Sequence, residues 1–507
     1  MPLLLTMTPR APLPFLRSPN PCPFTSLRKS YENVRSSSMS AMGQQLHNMT
    51  GQIPLDLLIN QKEVQVLDKI GTGSFGEVWK ALYNGNIVAV KLFVSQESDI
   101  SSEIKVMAKA SGKKNVLELL GVVQSKRDDY SAHQIAIVTP CMSNGSLDDL
   151  LVNNNRKDKK NFSTLEIIDF AAQAARGVMS LHVNGIIHRD LACRNFLVND
   201  EMTVFVSDFG FARLREKGMS KGFTATNLGP VRWEAPESLK NKEFSEKTDV
   251  FSFGVCLYEM FVGREPFLGR TNAAVAHAVL SGERMRIPIH VDPAVAEIIT
   301  KCWAPNPSAR PSIVLIYEAL RHRHVTLQTE EAKVAADIEL IGKLKKGARL
   351  IKVPFSRSMN FFLIGNKRFF AVSDDLRRIC WKQAGNALEK SINLSDIVDI
   401  RSGSEVNYST RSLPKVDMKA GEKNRIAFSL IMEDRSVDIV CPSHDIMDEW
   451  VRGLNFLKSR FSEKSGATIS LRNCDIDIGQ GKDANIGSSE LLCLDLLFLV
   501  LSSLHLN

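Results

Sequence analysis

Apolar and polar residues alternate from Val64 to Val90 as they do in strands, broken by the glycine-rich stretch Gly71-Thr72-Gly73-Ser74-Phe75-Gly76-Glu77-Val78. Spacing turns helical over Ser101 to Ala110, where Ile104, Val106 and Met107 supply a packing side. Ile135 to Thr139 is a short apolar run of the buried-strand kind, and Pro140-Cys141-Met142-Ser143-Asn144-Gly145-Ser146-Leu147 predicts a turn leading into a helix. Near residue 348 the pattern changes. Ala348 to Val353, Phe361 to Ile364, Arg368 to Val372 and Arg378 to Trp381 are brief strand-like runs, and Ser443 to Leu457 is one amphipathic helix with Ile446, Trp450, Leu454 and Leu457 at helical spacing. The pattern predicts an α+β chain with two separate cores.

Length agrees, since 507 residues at 44% hydrophobic exceed what one core of ordinary size encloses. Polar stretches at 30–50, 321–337 and 463–490 are the linker candidates, and no internal repeat is visible. A disordered extension is expected over 1–60 and a disordered tail over 463–507. Prolines 2, 9, 12, 14, 19, 21 and 23 oppose a targeting helix in the basic first thirty residues, so a disordered extension or an over-extended start is expected, the second making Met39 or Met42 the true first residue. From Met42 the chain half matches a myristoylation signal, but His47 stands where Ser or Thr is wanted. No room is expected upstream for another sizeable module. Leu491 to Leu506 is apolar but shorter than a membrane span, and Asp495 interrupts it. Nine cysteines without paired spacing favour a reducing compartment, hence a cytoplasmic protein. The net charge of +8 is modest for this length, so any anion-binding surface must concentrate its cations locally.

Concentrated chemistry lies in His188-Arg189-Asp190-Leu191-Ala192-Cys193-Arg194-Asn195, followed by Asp208-Phe209-Gly210. Phosphoryl transfer from ATP needs one carboxylate to orient the attacking hydroxyl, and Asn and Asp side chains to hold Mg2+ against the phosphates; this stretch supplies all three. A lone glycine-rich loop is shared with dinucleotide-binding folds, where it opens a helix; here a strand-like segment follows it. Val88-Ala89-Val90-Lys91 then puts a lysine on the next strand, and Glu103 is its expected partner, with Glu97 as competitor.

These motifs resemble the eukaryotic protein kinase family over residues 64–327, together with Ala235-Pro236-Glu237, Asp249 in Thr-Asp-Val-Phe-Ser-Phe-Gly, and Arg310 in Asn-Pro-Ser-Ala-Arg-Pro. The resemblance implies a bilobal fold, ATP and Mg2+ as cofactors, and protein substrates. By that resemblance Asp190, Lys91 and Arg194 are catalytic, and Asn195 and Asp208 hold the metal. Gly71, Gly73, Ser74, Phe75, Gly76, Val78, Ala89, Lys91, Glu103, Thr139, Pro140, Met142 and Leu197 would surround ATP, with Thr139 as gatekeeper, the Pro140 carbonyl and Met142 amide meeting adenine, and Glu237 paired to a buried Arg310. Ala192 and Arg194 are similar to the tyrosine kinase form of the loop, and Pro230-Val231-Arg232-Trp233 to its substrate shelf. Against this, Phe211 to Trp233 contains no Tyr; Ser220, Thr224 and Thr226 are its hydroxyls, and phosphate on one of them would pair with Arg189 or Arg213. Tyrosine is therefore the expected acceptor, with a Ser/Thr or dual-specificity tyrosine kinase-like enzyme, and then a pseudokinase scaffold, as alternatives.

The strands closed by a helix over 338–462 resemble a pleckstrin-homology domain: a small β-sandwich or barrel with a C-terminal helix, similar to the phospholipase C type in Lys346 to Val353 and Trp450 to Leu454. By the family pattern Lys352 and Arg368, with Arg357 and Lys367 nearby, are candidates for a phosphoinositide or anionic membrane surface, which would make the protein peripherally membrane-associated. Pro354 stands where a second lysine would help, and a basic protein-binding face is the alternative. No aromatic-interleaved basic platform marks a nucleic-acid partner.

Overall fold

In the computed structural model, which describes residues 57–73, 76–93, 97–126, 133–152, 161–214, 222–223, 231–352, 366–382, 390–402 and 427–462, the first strand-rich stretch forms a six-stranded sheet. Its strands are β1 (Leu58–Ile59), β2 (Val64–Gly73), β3 (Gly76–Tyr83), β4 (Asn86–Phe93), β5 (Gly121–Lys126) and β6 (His133–Pro140), in the order β1-β5-β6-β4-β3-β2. Leu58 and Ile59 fall within the expected N-terminal extension, yet they pair in parallel with Val122 and Val123.

Strand alternation sorts this sheet into two working faces. Val88, Val90 and Leu92 of β4 pack with Ala81, Ala136, Val138, Val123 and Ile59 into a closed apolar layer. The opposite parity, fixed by the pairs Gly71↔Val78, Val78↔Lys91, Lys91↔Ile137 and Ala89↔Thr139, puts Gly71, Val78, Ala89, Lys91, Ile137 and Thr139 on one face. Helix α1 (Glu97–Ala110) buries Ile100, Ile104 and Met107 with Ile137 in the main core of the same unit.

Helices dominate the rest of the first unit. They are α2 (Thr164–Val183), α3 (Pro236–Asn241), α4 (Glu246–Val262), α5 (Asn272–Leu280), α6 (Pro293–Cys302) and the first part of α7 (Ile313–Lys346). Boxes at both N-termini cap the two central helices: Ser163 with Glu166 opens α2, and Ser245 with Thr248 opens α4. Helix α4 is buried from Thr248 to Met260 without a break, so its polar residues Asp249, Ser252 and Glu259 must find partners inside the protein. Short strands β7 (Ile186–Ile187), β8 (Phe196–Val198), β9 (Val204–Val206), β10 (Arg213–Leu214), β11 (Gly222–Phe223) and β12 (Glu243–Phe244) pair as β7 with β10, β8 with β9 and β11 with β12.

The polar run 321–337 is helical instead of a loop. It lies inside α7, and between Ile313 and Gly342 the sequence has neither Gly nor Pro to end the helix. Polarity alone does not break a helix.

The chain divides into units Met1–Leu327 and Gln328–Asn507. In the second unit β13 (Ala348–Lys352), β14 (Asn366–Val372), β15 (Arg378–Lys382), β16 (Lys390–Asn393), β17 (Asp399–Ser402), β18 (Ala427–Ile431) and β19 (Ser436–Val440) form an antiparallel sheet ordered β16-β15-β14-β13-β19-β18-β17. Helix α8 (His444–Ser462) follows and sends Met447, Trp450, Leu454 and Leu457 into that core. There Phe370 stacks on Trp381 and Phe428 on Trp450. The run Phe361 to Ile364 lies outside the described residues. Among the described residues, no helix is long and apolar enough to cross a membrane.

Candidate active site

Lys91 projects from the inner face of the first sheet to two carboxylates. Its Nζ lies 2.8 Å from Glu103 Oε1 on α1 and 3.0 Å from Asp208 Oδ1. Burial alone would lower the Lys91 pKa; the two carboxylates outweigh it and the net direction is up. For Asp208, burial raises the pKa but Lys91 prevails and holds the carboxyl low. Glu103, 3% exposed, goes up, because burial and the charge of Asp208 together exceed the pull of Lys91. One ammonium serving two carboxylates leaves a negative surplus.

Around this cluster the sheet keeps space. The β2–β3 hairpin closes with Gly73 opposite Gly76. At Gly76, φ is +152° and an added Cβ would lie 1.8 Å from the Leu92 carbonyl oxygen, so only glycine fits. At Gly71 a Cβ would meet nothing nearer than Val78 at 3.9 Å, so the protein's own packing does not require glycine there. Ser74 and Phe75 lie outside the described residues. Val78, Ala89, Pro140, Met142 and Leu197 are all partly exposed, unlike the sealed Val88 and Val90 between them, and Thr139 is 9% exposed.

The loop after β7 is held from below. Buried Asp249 at the start of α4 accepts from the backbone amides of His188 (2.8 Å) and Arg189 (2.9 Å) and from His182 Nε2 (2.9 Å). Burial opposes its charge, but these donors win and its pKa is depressed. His188 Nε2 lies 2.9 Å from the Ser207 carbonyl, which can only accept, so that nitrogen carries the proton and Nδ1 accepts from the Asp190 amide at 3.3 Å. Asn195 donates Nδ2 to the Asp190 carbonyl at 2.7 Å, which fixes the amide with its oxygen turned the other way.

Asp190 Oδ1 accepts from Arg194 Nη2 at 2.5 Å. Burial raises the Asp190 pKa, with Arg194 and His188 partly offsetting it, which makes this carboxylate a better proton acceptor. The Arg194 guanidinium also lies over the Trp233 ring, 4.7 Å from its centre. Arg189, at φ +69°, lies over the Phe244 ring at 5.0 Å, and its buried Nε and Nη1 have no hydrogen-bond partner among the described residues. Burial first, then Arg213, brings its pKa down to about 10. A buried guanidinium with unused donors suits an anion.

The structure thus gathers Lys91, Glu103, Asp190, Arg194, Asn195 and Asp208, drawn from four separate stretches of chain. Asn195 and Asp208 offer two oxygen donors, a number that suits Mg2+, which takes its remaining ligands from phosphates and water. Sequence patterning did not reveal that Asp249 and Glu259 brace this loop. Glu259 Oε2 accepts from Trp233 Nε1 at 2.7 Å and from the Cys193 amide at 3.2 Å. Its only sequence signal is a charged residue in the apolar second half of α4.

In the second unit, the pairs Lys352↔Asn366 and Leu350↔Arg368 place Lys352 and Arg368 on one face, while Ile351↔Lys367 puts Lys367 on the other. Lys367 therefore does not join them, and Arg357 lies outside the described residues. Lys352 Nζ lies over the Trp381 ring at 4.5 Å. Its pKa is lowered by burial and then by Lys390, Arg368 and Arg435, two of which sequence reading had not selected.

Comparison with known proteins agrees with this geometry. The family model described as Protein tyrosine and serine/threonine kinase matches residues 64–320, and that of the Pleckstrin homology domain matches 338–459. The chain is 35% identical over 257 residues to Tyrosine-protein kinase Srms of Mus musculus, covering 50% of each chain. It is 35% identical over 269 residues to Protein-tyrosine kinase 6 of Homo sapiens (52% of this chain, 56% of the relative). It is 31% identical over 309 residues to Serine/threonine/tyrosine-protein kinase HT1 of Arabidopsis thaliana (57% and 76%). The chain spans about half the length of the first two.

Proposed function

Because this chain belongs to the protein tyrosine and serine/threonine kinase family and carries a C-terminal pleckstrin-homology domain, we propose that it transfers the γ-phosphoryl group of ATP to hydroxyls of protein substrates, with tyrosine as the favoured acceptor. The observation that carries this reading is Lys91 shared between Glu103 and Asp208, in one unit with Asp190 and Asn195.

Gly71, Gly73 and Gly76, with Ser74 and Phe75 between them, would cover the phosphates. Val78, Ala89, Thr139 and Leu197 would enclose the adenine, and the Pro140 carbonyl and Met142 amide would meet its edge. Lys91 would hold the phosphates, positioned by Glu103. Asn195 and Asp208 would hold Mg2+, whose charge offsets that of the phosphates. Asp190, with its raised pKa, takes the proton of the acceptor hydroxyl as that oxygen bonds to phosphorus and ADP leaves.

Tyrosine is favoured by Arg194, which bonds Asp190 and lies over Trp233. The second reading, Ser/Thr or dual specificity, draws on the absence of Tyr from Phe211 to Trp233. Phosphate on Ser220, Thr224 or Thr226 would suit the buried Arg189 guanidinium. Phosphoamino-acid analysis of autophosphorylated protein and of a mixed peptide library tests the assignment: phosphotyrosine supports it, and exclusive phosphoserine and phosphothreonine overturn it.

For the second domain, Lys352 and Arg368 on one face, beside Lys390, support recruitment to an anionic membrane surface bearing phosphoinositides. Sedimentation with vesicles containing or lacking phosphoinositides tests this, and equal binding to both rejects headgroup recognition.

A further inference from the structure

Helix α4 holds two groups of the transfer site with a single side chain. The Glu259 carboxylate oxygen Oε2 accepts from Trp233 Nε1 (2.7 Å) and from the Cys193 amide (3.2 Å), and Ser252, two turns earlier on the helix, donates Oγ to the Trp233 carbonyl at 2.7 Å. Trp233 is thereby tethered twice to one helix face. Its ring lies 4.7 Å from the Arg194 guanidinium, which in turn bonds Asp190 Oδ1. Cys193 sits in the same loop, between Asp190 and Asn195.

We propose that Glu259 is a positioning residue of the transfer reaction: by anchoring the Trp233 ring and the Cys193 amide together, it fixes the surface on which Arg194 rests and so the carboxylate of Asp190. This rests on the kinase reading above. A chain of four side chains then sets the direction of the base relative to the acceptor shelf, and misplacement by about 1 Å at a reacting group costs on the order of a hundredfold in rate.

The choice of a carboxylate has an electrostatic cost that packing does not explain. Glu259 is 2% exposed, and the Trp233 Nε1 and Cys193 amide donors it meets are neutral. Burial pushes its pKa up to about 7; the Trp233 and Cys193 donors pull it back, and Asp148 pushes it further up. Glu259 also interacts electrostatically with the buried thiols Cys193 and Cys256, and Arg194 and Asp190 act on Cys256 from the loop. A neutral side chain would fill the space at less cost. Two donors that converge on one oxygen are bound more strongly by a charged acceptor.

The full-length chain and its Glu259→Ala, Glu259→Gln and Trp233→Phe variants would be compared for kcat, for KM toward ATP and peptide, and for melting temperature, across a pH range centred on neutrality. Trp233→Phe keeps an aromatic ring but removes the indole N–H together with the second ring, so its melting temperature is read beside its kcat. We expect Glu259→Ala and Trp233→Phe to lower kcat about tenfold or more with KM for ATP unchanged. Glu259→Gln retains an acceptor oxygen and should recover most of that loss, while removing the rise in kcat through neutral pH that ionisation of Glu259 is expected to give the wild type. Folded variants with wild-type kcat and an unaltered pH profile, or a loss confined to melting temperature, overturn the proposal. If Glu259→Ala does not fold, the other two variants decide on the same criteria. A wild-type chain that binds ATP yet phosphorylates no substrate overturns the kinase reading itself, and this inference with it.

Discussion

Two ion pairs in the first unit, one in its helical part and one at the sheet, divide their charge differently. Arg310, whose side chain is fully buried, meets Glu237 through two bonds of 2.6 and 2.9 Å and satisfies its remaining donors on backbone carbonyls, among them those of Ala304 and Lys247. Lys91, 21% exposed, has two carboxylates to serve and saturates neither. A cation matched to one carboxylate is finished as structure. A cation divided between two leaves a surplus charge that a ligand can use.

The largest effect should come from breaking the finished pair. Glu237→Ala leaves a guanidinium buried without its carboxylate and should destabilise the fold by about 3–5 kcal/mol in denaturant unfolding, with kcat per folded molecule unchanged at low temperature. Lys91→Met should show the reverse: phosphoryl transfer falls by about a hundredfold or more while the unfolding free energy stays within about 1 kcal/mol of wild type. If both variants lose stability and activity in proportion, the distinction between the pairs collapses.

Glu259 sharpens the contrast, as a buried carboxylate held by neutral donors. Its folded pKa, about 7, lies above the ordinary carboxylate value, so its contribution to stability is present below that ordinary value and is lost as pH rises through 7. Glu259→Gln should therefore gain on the wild type above neutral pH by on the order of 1 kcal/mol or more, and gain nothing near pH 4, in urea melts at the two pH values. The smallest effect belongs to the second unit. Lys352, among cations of its own sign, should contribute about 1 kcal/mol to vesicle binding, so Lys352→Ala should weaken sedimentation with anionic vesicles roughly fivefold.

Much of the candidate site was legible in the sequence because its parts are short motifs whose local geometry carries the chemistry. The strand through Lys91 and the helix through Glu103 followed from periodicity, and the structure joins them at 2.8 Å. Strands β16 to β19 escaped notice: β16 (Lys-Ser-Ile-Asn) and β17 (Asp-Ile-Arg-Ser) hold one apolar residue each, too few to show a period without their neighbours. The helix over 321–337 was obscured by its charge.

The sequence by itself determined which groups are available: a carboxylate, an amide and a second carboxylate at fixed spacing, a lysine on a strand, and two separate sets of periodic apolar residues. Folding alone set how the charges are shared, which side of β14 Lys367 faces, and that Asp249 and Glu259 brace the loop after β7 from sixty or more residues away. Local preferences are encoded within a few residues, whereas the energy of a charge depends on everything within several ångströms of it. Those neighbours are brought together only by folding.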